Sequence, residues 1–174
     1  MNRSIMTMAI AIAVMGTIAG NAFAQSSADP AIAKAKEETA SVYDLGRMFG
    51  YLNTMVKDGK TPSLSADQLK KLYDIMKEVE SSKRIEPSRA KTLLTQIEDK
   101  VLTPAQLMAA DKLAVAKAAE RTSAQGTGPG ATGGTSPLAS YIAGGNFNPI
   151  LDKTRTMGKD FFAFLDYVSR KTGK

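Results

Sequence analysis

The chain has no cysteine, no histidine and no tryptophan. Without cysteine there is no disulfide and no lipid-bearing N-terminal thiol, so stability must come from packing. Without histidine or cysteine, most metal sites and most nucleophile–base pairs are closed off. Acid–base chemistry would fall to Asp, Glu, Lys or Tyr. The carboxylates show no paired geometry and no calcium-loop spacing, and the Gly-rich stretch follows a helix and lacks a phosphate-loop lysine. These gaps predict a protein that is not an enzyme and carries no metal and no cofactor.

Long apolar runs are also scarce, with one exception at the start. Arg3 gives a positive N-terminal region, Ile5 to Ala19 is uncharged and apolar, and Ala22-Phe23-Ala24 is a small-x-small cleavage pattern. That is the layout of a secretory signal peptide, over residues 1–24. The apolar run is shorter than the roughly 20 residues that span a bilayer. Cleavage after Ala24 would leave Gln25 to Lys174, exported to the periplasm or secreted. Loss of Arg3 lowers the formal charge of +6 by one. A moderately basic exported chain suits acidic partners or an anionic envelope surface rather than nucleic acid.

What remains is dominated by helical periodicity. Asp29-Pro30 is a cap followed by a first-turn proline, and Val42, Leu45, Phe49, Leu52 and Val56 recur on one face, predicting one helix over 29–57. Gly46 and Gly50 inside it allow a close neighbour or a bend, and Asp58-Gly59 ends it. A second helix is expected over 66–82 on Leu69, Leu72, Met76 and Val79. A third is expected over 87–101 on Ala90, Leu94, Ile97 and Val101, joined to the second by a short turn at Arg84 to Glu86, as between antiparallel neighbours. A fourth is expected over 104–121, with Leu107, Ala110, Leu113, Ala114 and Ala118. Residues 25–122 thus form a helical body.

Residues 123–137 are uncharged and rich in Gly, Ser, Thr and Pro, which predicts a flexible disordered linker. Residues 138–174 form a C-terminal helical segment. A short extended piece near Tyr141 and a turn at Gly144-Gly145 precede a helix opened by Asn148-Pro149. Met157, Phe161, Phe164, Leu165 and Val168 share one face of that helix. So aromatic a face must be covered by the helical body, a second copy or a partner. The class is all-α: a small helical bundle or a thin array of helical hairpins, with the linker and a last helix.

One motif occurs twice. Leu64-Ser65-Ala66-Asp67-Gln68-Leu69 returns as Leu102-Thr103-Pro104-Ala105-Gln106-Leu107. Ser65 and Thr103 are N-caps, and Gln68 and Gln106 stand where a side chain reaches back to the cap's own N–H, which makes a capping box. The leucines have hydrophobic-staple spacing. Loss of either hydroxyl should cost about 1 kcal/mol. The repeated L-[ST]-x-x-Q-L resembles the LTxxQ signature of the Spy/CpxP group of periplasmic proteins over residues 64–113. This chain departs from it in Ser65, in Leu69 and Leu107 where Arg often follows the Gln, and in the short spacing between copies. The resemblance implies a thin, curved, all-α dimer with an envelope-stress role, as an ATP-independent chaperone or a dampener of a stress-sensing kinase.

Lys70-Lys71, Lys83-Arg84 and Arg170-Lys171, with Arg89, Lys91, Lys153, Arg155 and Lys159, read as solvated helix faces or as a positive surface for acidic clients. Tyr43, Tyr51 and Tyr73 with Met48, Met55, Met76 and Met108 read as core or as an adaptable apolar cradle. The function expected is therefore a periplasmic helical binding protein, chaperone-like or stress-accessory. The rival is a structural or assembly subunit that docks through its aromatic last helix. The partners expected are protein clients or an envelope protein, a second copy of the chain, and weak contact with an anionic envelope surface.

Overall fold

The computed structural model describes residues 30–59, 62–123 and 137–174. The leader at 1–24 and the body of the Gly-rich linker, 124–136, lie outside the described residues. Among those described, the fold is all-α, with seven α-helices, one 3-10 turn and no strand: α1 (Pro30–Glu38), α2 (Ala40–Asp58), α3 (Ala66–Ser81), α4 (Pro87–Lys100), α5 (Pro104–Ser123), α6 (Pro137–Ile142), the 3-10 turn Pro149–Leu151, and α7 (Thr156–Thr172). None of the described helices is long and apolar enough to cross a membrane.

The helix expected over 29–57 is two helices. The break falls at Thr39, whose backbone leaves the helical region. Its hydroxyl donates to the Ala35 carbonyl at 2.6 Å, back-bonding that bends a helix. The two glycines do not cause the bend. Gly46 instead admits a neighbour: a Cβ there would collide with the Met157 side chain. Gly59, at φ 62°, supplies the left-handed residue that ends α2.

Helix α2 is the centre of the molecule. Val42, Leu45, Phe49 and Leu52 are fully buried, and α7, α4 and α5 all pack on it. Phe49 meets Phe161 of α7 edge-on, with ring centres 5.3 Å apart. The other side of α7 packs on α3, where Leu72, Met76 and Val79 are buried.

Three local expectations are corrected. First, α3 and α4 are not packed chiefly on each other; α3 lies on α7 and α4 on α2. The connection between them is held by Phe147, whose N–H donates to the Lys83 carbonyl and whose carbonyl accepts from the Ile85 N–H. On α4 the buried positions are Ala90, Leu93 and Ile97, with Leu94 only half-buried, because the contact with α2 turns the stripe by one residue. Second, Pro137 to Ile142 is helical, not extended, and lies on α1. Pro137 and Ser123, expected at the linker's ends, are helix ends. Third, Asn148-Pro149 opens only the 3-10 turn, and α7 begins at Thr156. The Asn148 amide caps a different helix, donating to the Val79 and Ser82 carbonyls at the end of α3, both at 2.8 Å.

Candidate functional site

Both copies of the repeated motif form the expected capping boxes. The Gln68 N–H donates to the Ser65 hydroxyl at 3.3 Å and the Ser65 N–H to Oε1 of Gln68 at 2.7 Å. The Gln106 N–H donates to the Thr103 hydroxyl at 3.3 Å and the Thr103 N–H to Oε1 of Gln106 at 2.9 Å. Leu69 and Leu102 are buried, and Leu64 and Leu107 half-buried against the same core.

The two boxes also meet. Nε2 of Gln68 donates to Oε1 of Gln106 at 2.7 Å, and Nε2 of Gln106 donates to Oε1 of Gln68 at 3.2 Å, across 38 residues. Each amide then reaches the carbonyl two residues ahead of the other's cap: Gln68 to Val101 at 2.6 Å, Gln106 to Ser63 at 2.8 Å. Each glutamine thus donates twice and accepts twice, which uses both its N–H groups and both its lone pairs. Gln106 is only 2% exposed, so this saturation is what makes its burial tolerable. The clasp explains glutamine where capping boxes equally accept glutamate: a carboxylate has no N–H to give. Sequence reading found both boxes but not their pairing. The available signal was that the same amide residue recurs at the same cap position.

The clasp fixes the start of α5 to the start of α3. Helix α5 then runs out along α2. It buries Gln106 and Ala110, with Leu113, Ala114 and Lys117 partly covered on that side. The opposite side faces solvent. Met108 is 59% and Val115 72% exposed; with Ile142 they are the large exposed hydrophobics among the described residues. Of the methionines weighed as core or cradle, Met48, Met55 and Met76 are core, and Met108 is not. The three tyrosines are half-buried on the core's edge. Ala118, expected on the buried stripe of α5, is exposed.

A groove of about 280 Å³ opens where α5 leaves α2 and α4, lined by Asp44, Arg47, Met48, Tyr51, Glu98 and Asp111 among others. Desolvation holds the Glu98 carboxyl above its ordinary range, and the nearby Asp99, Asp111 and Asp44 push it further up. Arg47 pairs with Asp44 in this groove, so three carboxylates and one guanidinium leave it a negative surplus on a basic chain.

The basic residues are largely engaged nearby. Arg89 makes a two-pronged pair with Glu78 at 2.5 and 2.6 Å, which draws the Glu78 carboxyl down. Arg84 pairs with Glu86, donates to the Gly145 carbonyl and lies over the Tyr141 ring at 4.7 Å. Arg155 pairs with Asp152 and Arg170 with Asp166. Lys153 sits 4.1 Å from the centre of the Phe162 ring, and Lys171 5.9 Å from that of Tyr167. The positive surface expected for acidic clients is mostly spent on these local partners.

The five residues read as a partner-binding face of the last helix belong to the core. Phe161, Phe164 and Val168 are fully buried, Leu165 is 8% exposed, and Met157 lies against Gly46. Large aromatic side chains gain most from burial, and α2 and α3 of the same chain cover them first. Docking of another protein through that face is corrected accordingly.

No family model, curated protein or solved structure matches the chain.

Proposed function

We propose that this chain is an exported, non-catalytic binding protein of the cell envelope that holds protein segments on the outer side of α5. In this role it acts as an ATP-independent chaperone or envelope-stress accessory. The carrying observation is the outward line of Met108 and Val115 on a helix whose opposite side is already packed. Apolar side chains at such exposure are normal singly, but two on one helical line beside a groove form a surface. Methionine suits it, because a flexible, polarizable side chain adapts to varied apolar partners. The acidic groove alongside, with Asp44, Glu98 and Asp111, favours segments that mix apolar and basic residues. The signal-peptide pattern at 1–24 and the LTxxQ resemblance support the envelope setting.

The test is suppression of aggregation of an unfolded reporter protein without ATP. The chain Gln25 to Lys174 is expected to suppress it at a few-fold molar excess, and the double variant M108S/V115S to lose most of that effect while staying folded. No suppression at several-fold excess removes the reading.

A further inference from the structure

Cysteine is absent, so methionine is the chain's only sulfur, and with histidine and tryptophan absent too it is the most readily oxidised side chain present. Met1, Met6, Met8 and Met15 lie in the leader pattern. The others, Met48, Met55, Met76, Met108 and Met157, fall among the described residues, and the fold sorts them sharply. Met76 is fully buried, Met55 is 3% exposed and Met48 6% exposed. The Met157 sulfur is pressed against Gly46 of α2. Met108 is 59% exposed. Pro104, Ala105, Asp111 and Lys112, its neighbours one turn away on either side, are exposed as well, so its thioether stands open to a small solute. It forms one wall of an open hollow of about 390 Å³ on the outer side of α5, together with Asp111, Lys112, Val115 and Ala116.

We propose that Met108 is a site of reversible oxidation that switches the outer side of α5 from apolar to polar. The proposal rests on reading that side as the binding surface, and it adds the regulation of that surface. The oxidant is hydrogen peroxide. A sulfur lone pair attacks one peroxide oxygen, the S–O bond forms and the O–O bond breaks. The hydroxide released takes the proton left on the sulfur-bound oxygen, giving sulfoxide and water. Sulfur loses two electrons and peroxide gains them. The product replaces a flexible apolar tip by a polar, hydrogen-bond-accepting one, in a hollow whose remaining apolar wall is Val115, Ala116 and the Lys112 stem. Apolar segments then lose one of their two large contacts, so binding falls without vanishing. An oxygen on Met48, Met55 or Met76 would instead enter a packed core and cost the fold, and burial keeps the oxidant from them. The surface is thus altered at an exposure to oxidant that the fold survives. Reversal by a dithiol reductase returns the oxygen as water and leaves the reductase's thiols as a disulfide. This chain, without cysteine, cannot supply those thiols.

Dilute hydrogen peroxide followed by peptide mass mapping of Gln25 to Lys174 tests this. One oxygen should appear on Met108 at least about tenfold sooner than on Met48, Met55 or Met76, with circular dichroism unchanged. At that stage binding of the neutral apolar dye Nile red and suppression of reporter aggregation should both fall several-fold, and a methionine sulfoxide reductase with its dithiol should restore both. M108L, apolar but without sulfur, should match the parent before oxidant and lose nothing after it. M108Q should match the oxidised parent with no oxidant added. Equal oxidation of buried and exposed methionines overturns the proposal. So does loss of dye binding by M108L at the same dose, or a parent that carries the Met108 oxygen and still binds dye and suppresses aggregation in full; that last result leaves the binding function standing. An unoxidised parent that suppresses no aggregation removes the binding function instead, while mapping and dye binding still decide the switch.

Discussion

Helices α5 and α7 are the two long helices on either side of the Gly-rich segment, and the fold treats them oppositely. Helix α7 places Phe161, Phe164 and Val168 at zero exposure between α2 and α3. Helix α5 is longer, yet among its described side chains the fully covered ones are Gln106 and Ala110, Leu107 and Leu113 are half-buried, and Met108 and Val115 face water. The difference is in side-chain size and distribution. Helix α7 concentrates bulky groups on one stripe, so one orientation is much the best. Helix α5 spreads small apolar groups around its circumference, so packing one side leaves another apolar side uncovered. The lesson is that an Ala-rich helix anchored at one end by a polar clasp can be built into a fold and still present a surface.

The largest effect of substitution is expected in α7. Phe161→Ala should destabilise the chain by about 3–5 kcal/mol through the lost contacts and the cavity left beside Phe49. Val115→Ala should change stability by no more than about 0.5 kcal/mol, as for an open surface site. Chemical denaturation of the two variants side by side measures both. Equal losses would mean that α5 is as embedded as α7.

The clasp comes next. Gln106→Glu keeps the size and the acceptor toward Thr103 but removes both N–H donors, and it sets a carboxylate against Oε1 of Gln68 and the Ser63 carbonyl. A loss of about 2–4 kcal/mol is expected. The same change at half-buried Gln68 should cost less. The two cap hydroxyls follow. Ser65→Ala and Thr103→Ala should each cost about 1 kcal/mol. Their joint loss should differ from the sum, because the two boxes share the Gln68–Gln106 amides.

The smallest effect is electrostatic and sits beneath α5. The Glu98 carboxyl titrates above its ordinary range in the fold, so the folded chain binds that proton more tightly than the unfolded one. Folding stability is therefore lost as pH rises from the unfolded value through the raised folded value. Glu98→Gln should stabilise the chain slightly at neutral pH, by well under about 1 kcal/mol. The gain should vanish as pH falls below the ordinary carboxylate range. Thermal melts at several pH values read it directly.

Much of this was legible in the sequence. The helix starts at Ala66 and Pro104 follow from the capping boxes, and the stop at Gly59 from its left-handed backbone. The stripes of α2, α3 and α7 were visible because bulky residues repeat every three or four positions. What was not legible depends on partners far away in the chain. The bend at Thr39 comes from a hydroxyl back-bond that periodicity does not register. The stripe of α4 turns by one residue because α2 is its neighbour. Asn148-Pro149 has the local chemistry of a helix start, but the Asn148 amide is taken by α3. The exposed side of α5 was hidden because its apolar residues form no single stripe, so Met108 was grouped with core methionines that pattern alone could not separate from it.

Native-state hydrogen exchange, with and without an unfolded client protein, separates a packed α7 from a client-holding α5. The amides of α7 should exchange only on global unfolding in both conditions. The amides of α5 beyond Ala110 should exchange faster and become protected when client is present. Protection gained in α7, or none gained in α5 under conditions where aggregation is suppressed, would contradict it.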